Sequence, residues 1–501
     1  MSSTASTARP VLLTGGTVVT AESTVRADIL LDGGRIAAVG ADLSAQLQPG
    51  VLECAEHVDV TGKLLLPGGV DAHTHLEYGI DGFTTRTVDD FATGTTAAAL
   101  GGTTTVIDFV KKEPDHTVRE SFERRVAAIE ARAVLNVGLH VIIPPQEQQI
   151  DALDDARALR EHGVTSWKFF MAYPGTQMVD DGLLLRGMDA ARELGVLPMV
   201  HAENGHMVAR DTAQLLDAGT TGEPFHHAAH THAAEAEAVH RAIVLAQSAG
   251  TPLFVVHVSS AQAAEEIGRA RLAGARVWAE TCPQYLLTAY EEYAHLGQDA
   301  AAYICSPPIR ERANQAGLWT ALATGTLATI GTDHAGFCME DHDGQDVPPQ
   351  KRRSPGHFPS VPNGVPGVYE RLMVMYDAGV NTGRLDVTRF VDLVATRPAK
   401  LFGLYPRKGA IAVGADADVV VWDPDRERVI HHADTPLRSD YSLYEGRTVR
   451  GCPTAVYAGG ELVVTGTTFH GAPGRGAYLP RETPDVAPAT RLSSRTLQET
   501  A

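Results

Sequence analysis

The sequence is poor in the features that tie a chain to a membrane, a nucleic acid or an oxidising compartment. No stretch of it approaches the roughly 20 apolar residues that a membrane-spanning helix needs. The opening MSSTASTARPVLLTGG has neither the basic start nor the long apolar core of a secretory signal. Basic residues are in deficit: 42 Lys and Arg stand against 61 Asp and Glu, a formal net charge of −19. That balance disfavours nucleic acid and anionic membrane as partners, since both need basic patches. Cysteine is scarce and odd in number: Cys54, Cys282, Cys305, Cys338 and Cys452. These five are scattered, forming neither a disulfide framework nor a CxxC zinc knuckle, so a reducing cytoplasm is the expected setting.

What is present is ordinary in bulk, with 44 % hydrophobic and 21 % charged residues. At 501 residues the chain exceeds one simple core and fits a large barrel with a smaller domain. Residues 11–66 alternate short β-branched runs with turns, as in VLLTGGTVVT and ADILLDGGRIAAVG. A second such set, GADADVVVWDP and TAVYAGGELVVT, returns near the end. Neither set buries a core alone, so the two predict one β-sandwich built from both chain ends, 1–66 and 406–475. Between them, over 67–405, eight apolar strand candidates alternate with Ala-, Glu- and Arg-rich helical segments. The strands are GGVDAHTH, TTTVIDF, VGLHVII, TSWKFFM, VLPMVHAE, PLFVVHVSS, VWAETCPQ and LATIGTDHA. Eight βα units in order predict an α/β fold, a (β/α)8 barrel, whose chemistry sits at the C-terminal strand ends. The polar end of the chain, 476–501, is expected to be mobile or to lie on a neighbouring subunit.

TSWKFFMAY places Lys168 within an apolar strand, where a lysine is rarely buried unless paired or altered. His73 and His75 close the first strand at i and i+2, on one face. That pair alone is a weak metal signal. The fifth strand ends in His201, the sixth in His257 and the eighth in Asp333. Four His and one Asp at the catalytic ends of barrel strands are hard to explain as packing. Imidazole and carboxylate donors without thiolate suit zinc, with manganese, cobalt and nickel as alternatives. Burial lowers an amine's pKa, and a neutral amine adds to carbon dioxide. Lys168 is therefore expected to be carboxylated and to bridge two metal ions; the alternative is a buried lysine paired with a carboxylate.

The motifs PGGVDAHTHLE, GGTTTVIDF, SWKFFMAY, VHAENG, VVHVSSAQA, AETCPQYL, CSPPIR, GTDHAGF, VPNGVPGV and DYSLYEG run through almost the whole chain. In that order they resemble the dihydropyrimidinase and hydantoinase family of cyclic amidohydrolases, within the metal-dependent amidohydrolase superfamily. The resemblance implies one metal on His73, His75 and Asp333 and another on His201 and His257, with N6-carboxylysine at Lys168 and a hydroxide bridging them. It gives Asp333 the role of general base and then acid, and Tyr173 that of hydrogen-bond donor to the oxyanion. Ser306 and Asn363 match positions whose backbone groups hold the ureide or imide edge. The substrate implied is a small cyclic amide, opened to an N-carbamoyl amino acid, and the assembly implied is a homotetramer or a dimer. Sister readings are an allantoinase, a dihydroorotase and a non-catalytic scaffold of the same family that has lost its metal ligands.

Other features invite a functional reading and are discounted. The stretch FHHAAHTHAAEAEAVH, with His226, His227, His230, His232 and His240, reads as the exposed entry of an outer helix. Cys338 has no marked base and reads as a packed thiol. The loop after His75, LEYGIDGFTTRTVDDF, departs from the family in being about two residues longer. Its Tyr78, Ile80 and Phe83 are expected to wall the pocket, with Asp81 or Arg86 reading a polar substituent. Tyr369 stands where the family commonly places an acid, and HDGQDVPPQKRRSPGHF is also unusual.

Overall fold

The computed structural model describes residues 9–80, 85–340 and 350–486. Its centre is an eight-stranded parallel sheet whose strands follow one another in chain order. They are β1 (Gly69–Thr74), β2 (Thr103–Val110), β3 (Asn136–Ile142), β4 (Ser166–Phe170), β5 (Leu197–His201), β6 (Leu253–Val255), β7 (Val277–Thr281) and β8 (Thr329–Ile330). All eight expected strands are found. The sheet closes on itself just past β8, where Thr74 bridges to His334 and the His75 amide donates to the His334 carbonyl at 2.8 Å.

Strand alternation explains how the lysine is placed. Trp167 and Phe169 of β4 face outward into the core shared with the helices. Phe170 faces the opposite way, into the inner cluster with Phe109, Met199 and Phe254. A period of two puts Lys168 on that inner side as well. The helices are held against the outside by strong end signals. Val118–Arg132 opens on a Thr117–Glu120 capping box, and Asp181–Leu194 runs from an Asp180 cap to Gly195 in the left-handed region.

The smaller domain is formed by both ends of the chain. In its seven-stranded sheet, Val419–Val429 lies between Leu64–Pro67 and Thr448–Ala458. A four-stranded sheet from the first 60 residues packs on it through Leu13, Ile29, Ile36, Val419 and Tyr457. One expectation is corrected. The segment after residue 476 is not free where it is described: Val137 donates to the Ala477 carbonyl, and the Leu479 amide donates back to Val137, at 3.0 and 2.8 Å. Arg481 is buried and donates to the Leu139 carbonyl. Polarity misled the sequence reading, because this arginine is buried against the chain's own barrel and donates to a backbone carbonyl there. Residues 487–501 lie outside the described residues.

Candidate active site and metal centre

The C-terminal ends of β1, β4, β5 and β6 and the segment after β8 bring His73, His75, Lys168, His201, His257 and Asp333 to one place. Asp333 Oδ1 stands 3.1 Å from both His73 Nε2 and His75 Nε2. His201 Nδ1 faces His257 Nε2 at 2.9 Å. The His73 ring centroid lies 5.4 Å from that of His257, which joins the two groups. The backbone is bent to achieve this. Among the described residues, Tyr173, His257 and Asp333 all have positive φ, at 66°, 37° and 52°. Such conformations cost about 1–3 kcal/mol each and persist where the surroundings over-determine them. At Tyr173 the amides of Thr176, Gln177 and Met178 all converge on its carbonyl at 3.1 Å.

Two carboxylates aim the imidazoles. His73 Nδ1 donates to Glu280 at 2.7 Å, and His201 Nε2 donates to Glu203 at 2.9 Å. Each ring then turns its other nitrogen to the centre, the arrangement that orients metal-binding histidines. Burial holds His75, His201 and His257 below the ordinary imidazole range, so these rings are neutral. Burial pulls His73 down too, but Asp333 and Glu280 outweigh it and hold it at about 9. The buried His73 Nε2, His75 Nδ1 and His257 Nδ1 have no hydrogen-bond partner. By contrast, the strand histidine His140 is satisfied at both nitrogens, by Ser166 and the Ala72 carbonyl. Ligand atoms of His73, His257 and Asp333 lie within 4.8 Å of one another. Buried ring nitrogens without hydrogen-bond partners, three neutral rings and an ionised carboxylate form a donor set that fits divalent cations, which would displace the proton from His73.

Lys168 is 1 % exposed, with its Nζ 5.2 Å from the centres of the Phe109 and Phe170 rings. Among the described residues no ion pair holds it, so the expected alternative of a lysine paired with a carboxylate is not met. Burial brings its amine down to about 7, against the pull of Asp333 and Glu280.

A cavity of about 200 Å³ opens over these groups. Tyr173, Ser306 and Asn363 line one side of it, and Tyr78, Ile80 and Phe170 give it an apolar side. Burial raises the Tyr173 phenol well above its usual range, although hydrogen bonds with Ser306 and Asn363 act the other way. The loop after His75 folds as a short hairpin, Gly79–Ile80 against Thr85–Arg86. Tyr78 and Ile80 sit at the pocket as expected, Arg86 is exposed, and Asp81 and Phe83 lie outside the described residues.

The sequence model of the Amidohydrolase family matches residues 64–463. A D-hydantoinase of Streptomyces coelicolor is 43 % identical over 472 residues, spanning 94 % of this chain and 98 % of the relative. The chain belongs to the D-hydantoinase and dihydropyrimidinase family of amidohydrolases. Among solved structures of this family, a D-hydantoinase superposes with a TM-score of 0.88 at 41 % identity, covering 95 % of this chain and 99 % of the other. The dihydropyrimidinase of Brevibacillus agri gives 0.88 at 38 % identity, covering 95 % and 100 %.

The family member also holds residues that the sequence reading passed over. Glu203 and Glu280 lie inside the motifs VHAENG and AETCPQYL, and Glu203 is two residues from His201 in the chain. The reading of residues 226–240 as exposed histidines is corrected for two of them. His230 is buried and pairs with Glu203 at 2.8 Å, and buried His226 donates to the Cys305 carbonyl at 2.9 Å. A short helical turn, His226–Ala229, tucks them under the strand-end loops. The unusual stretch before Phe358 contributes Lys351, which is fully buried. Its Nζ donates to the carbonyls of Ile304 and Pro362 at 2.8 and 2.9 Å, tying the loop of Ser306 to that of Asn363. Gln350 beside it donates to Thr85 and the Arg86 carbonyl, anchoring the pocket hairpin. Tyr369 is packed in the core, its phenol meeting Arg428 at 3.5 Å. Cys338 is buried, and burial pushes its thiol up to about 12.

Proposed function

We propose that this chain is a cyclic amidase that opens a dihydropyrimidine or 5-substituted hydantoin ring by hydrolysis, giving an N-carbamoyl amino acid. The observation that carries this reading is the convergence of His75, Lys168, His201, His257 and Asp333 with Tyr173, Ser306 and Asn363 in one cavity, with buried His73 against Asp333 behind them. The chain's relatives named D-hydantoinase match it almost end to end.

In this reading His73, His75 and Asp333 would hold one divalent cation, His201 and His257 would hold a second, and Lys168 would be a further ligand. Lys168 would act as N6-carboxylysine: its neutral amine adds to carbon dioxide, forming an N–C bond and releasing a proton. The nitrogen and oxygen donors favour zinc. Bound there, the cations supply Lewis acidity, lowering the pKa of water and polarising the scissile carbonyl.

The remaining steps belong to the chain's own residues. Asp333 takes a proton from the attacking water and delivers it to the ring nitrogen as the C–N bond breaks. Tyr173, kept protonated by burial, donates a hydrogen bond to the oxygen that gains charge. Ser306 and Asn363 hold the ureide edge, and Tyr78 and Ile80 receive the ring's substituent. Among the described residues no arginine lines the cavity, which disfavours a dihydroorotase-like substrate carboxylate. A scaffold that had lost its ligands is disfavoured because all six donors are kept. The working assembly proposed is a homotetramer, with a dimer as the alternative, in the cytoplasm.

The test is to identify the product of the zinc-loaded protein on a hydantoin. An N-carbamoyl amino acid supports the reading. A product that has lost its carbamoyl group, or a protein that purifies without metal and takes up none, overturns it.

A further inference from the structure

A second cluster of metal-binding groups lies outside the pocket, and the proposed reaction makes no use of it. His227 sits on the turn His226–Ala229, His232 opens the helix His232–Ala249, and Glu311 precedes the helix Arg312–Ala323. One ligand atom from each lies within 4.8 Å of the others. Glu311 reaches both rings: Oε2 is 2.9 Å from His232 Nε2, and Oε1 is 3.3 Å from His227 Nε2. The His227 Nε2 is buried and has no hydrogen-bond partner, which is unusual for a ring nitrogen beside a carboxylate.

The three groups are held in place by their neighbours. His227 stacks on Tyr290 with ring centres 4.2 Å apart. Arg310, next to Glu311 in the chain, is buried and donates to the carbonyl of His230, which lies between the two histidines. Its guanidinium is paired with the buried Glu235 at 3.0 Å. Burial holds the His227 ring down to about 4, keeping it neutral, and the Glu311 carboxyl is lowered and ionised. The site is reached from solvent, since Glu311 is 41 % and His232 33 % exposed at the side chain.

We propose that His227, His232 and Glu311 form a further divalent-cation site, separate from the catalytic centre and suited to zinc. Two imidazoles and a carboxylate leave one tetrahedral position for water. Bound there, the cation would pin the 226–232 segment to the start of the 312–323 helix.

The experiment is to saturate the protein with zinc and count metal per chain, comparing wild type with a His227→Ala/His232→Ala variant and with Glu311→Gln. The site predicts one zinc fewer per chain in both variants, with ring-opening activity retained. An anomalous-scattering map of zinc-soaked wild-type crystals should show a peak between the three side chains, and needs no variant. Equal stoichiometry in folded variants overturns the proposal, as does a map with no peak there. Failure of this site would leave the catalytic reading intact, because the two are read at different metal positions.

Discussion

The Nδ1 of His201 faces the Nε2 of His257 across 2.9 Å, at the ends of neighbouring strands. Both rings are held neutral by burial, so two ring nitrogens converge where the proposed reading puts one cation. Removing that cation separates its role from packing. Chelation should abolish ring opening and lower the melting temperature, with both restored by zinc, since a ligand of the native state alone stabilises it by mass action. Calorimetry before and after zinc addition checks this. Unchanged melting on complete metal removal would contradict it.

Lys168→Ala should lose metal and activity together, and a short carboxylic acid such as propionate should restore part of both by supplying the missing oxygens. Metal content is the decisive readout. Full metal retention in the variant would exclude Lys168 as a ligand.

Glu280→Ala removes the acceptor that orients His73. Loss of such a partner costs about 10–100-fold in metal affinity or activity. Zinc titration and initial rates test this, and a variant with wild-type affinity and rate would show that packing alone places His73.

Tyr173→Phe should lower kcat by about 10²–10³-fold, the usual effect of deleting one oxyanion donor. KM and metal content should change little. A raised KM with unchanged kcat would assign Tyr173 to ground-state binding instead.

Lys351 gives a pH signature. Burial brings its amine from 10.5 down to about 7 in the folded chain. Between those values the unfolded chain binds more protons than the folded one, so this group's contribution to stability rises with pH. It is complete above 10.5 and lost as pH falls through about 7. Denaturant midpoints should therefore show wild type gaining on Lys351→Met between pH 7 and pH 9. A difference that does not change with pH would contradict the lowering of this amine by burial.

The barrel and the donors were legible in sequence because both obey local rules. Apolar runs bounded by turns mark the strands, and a donor at a strand's end faces the mouth whatever the rest of the chain does. His73, His201 and Asp333 were visible for that reason. Glu280 was harder, since its partner His73 is 207 residues away and only closure of the barrel joins them. Lys351 carried no local signal, as its function as a clip depends on two carbonyls from separate loops. The burial of His226 and His230 was misread because a polar, alanine-rich stretch looks solvent-facing until Glu203 and Cys305 are placed beside it.

The most direct test is the initial rate of ring opening by the zinc-loaded protein on dihydrouracil, dihydrothymine, hydantoin, alkyl- and aryl-hydantoins, allantoin and dihydroorotate. The account predicts turnover of a dihydropyrimidine or a 5-substituted hydantoin, with allantoin and dihydroorotate left unopened. Turnover confined to allantoin or dihydroorotate, or none at all with both cations bound, would contradict it.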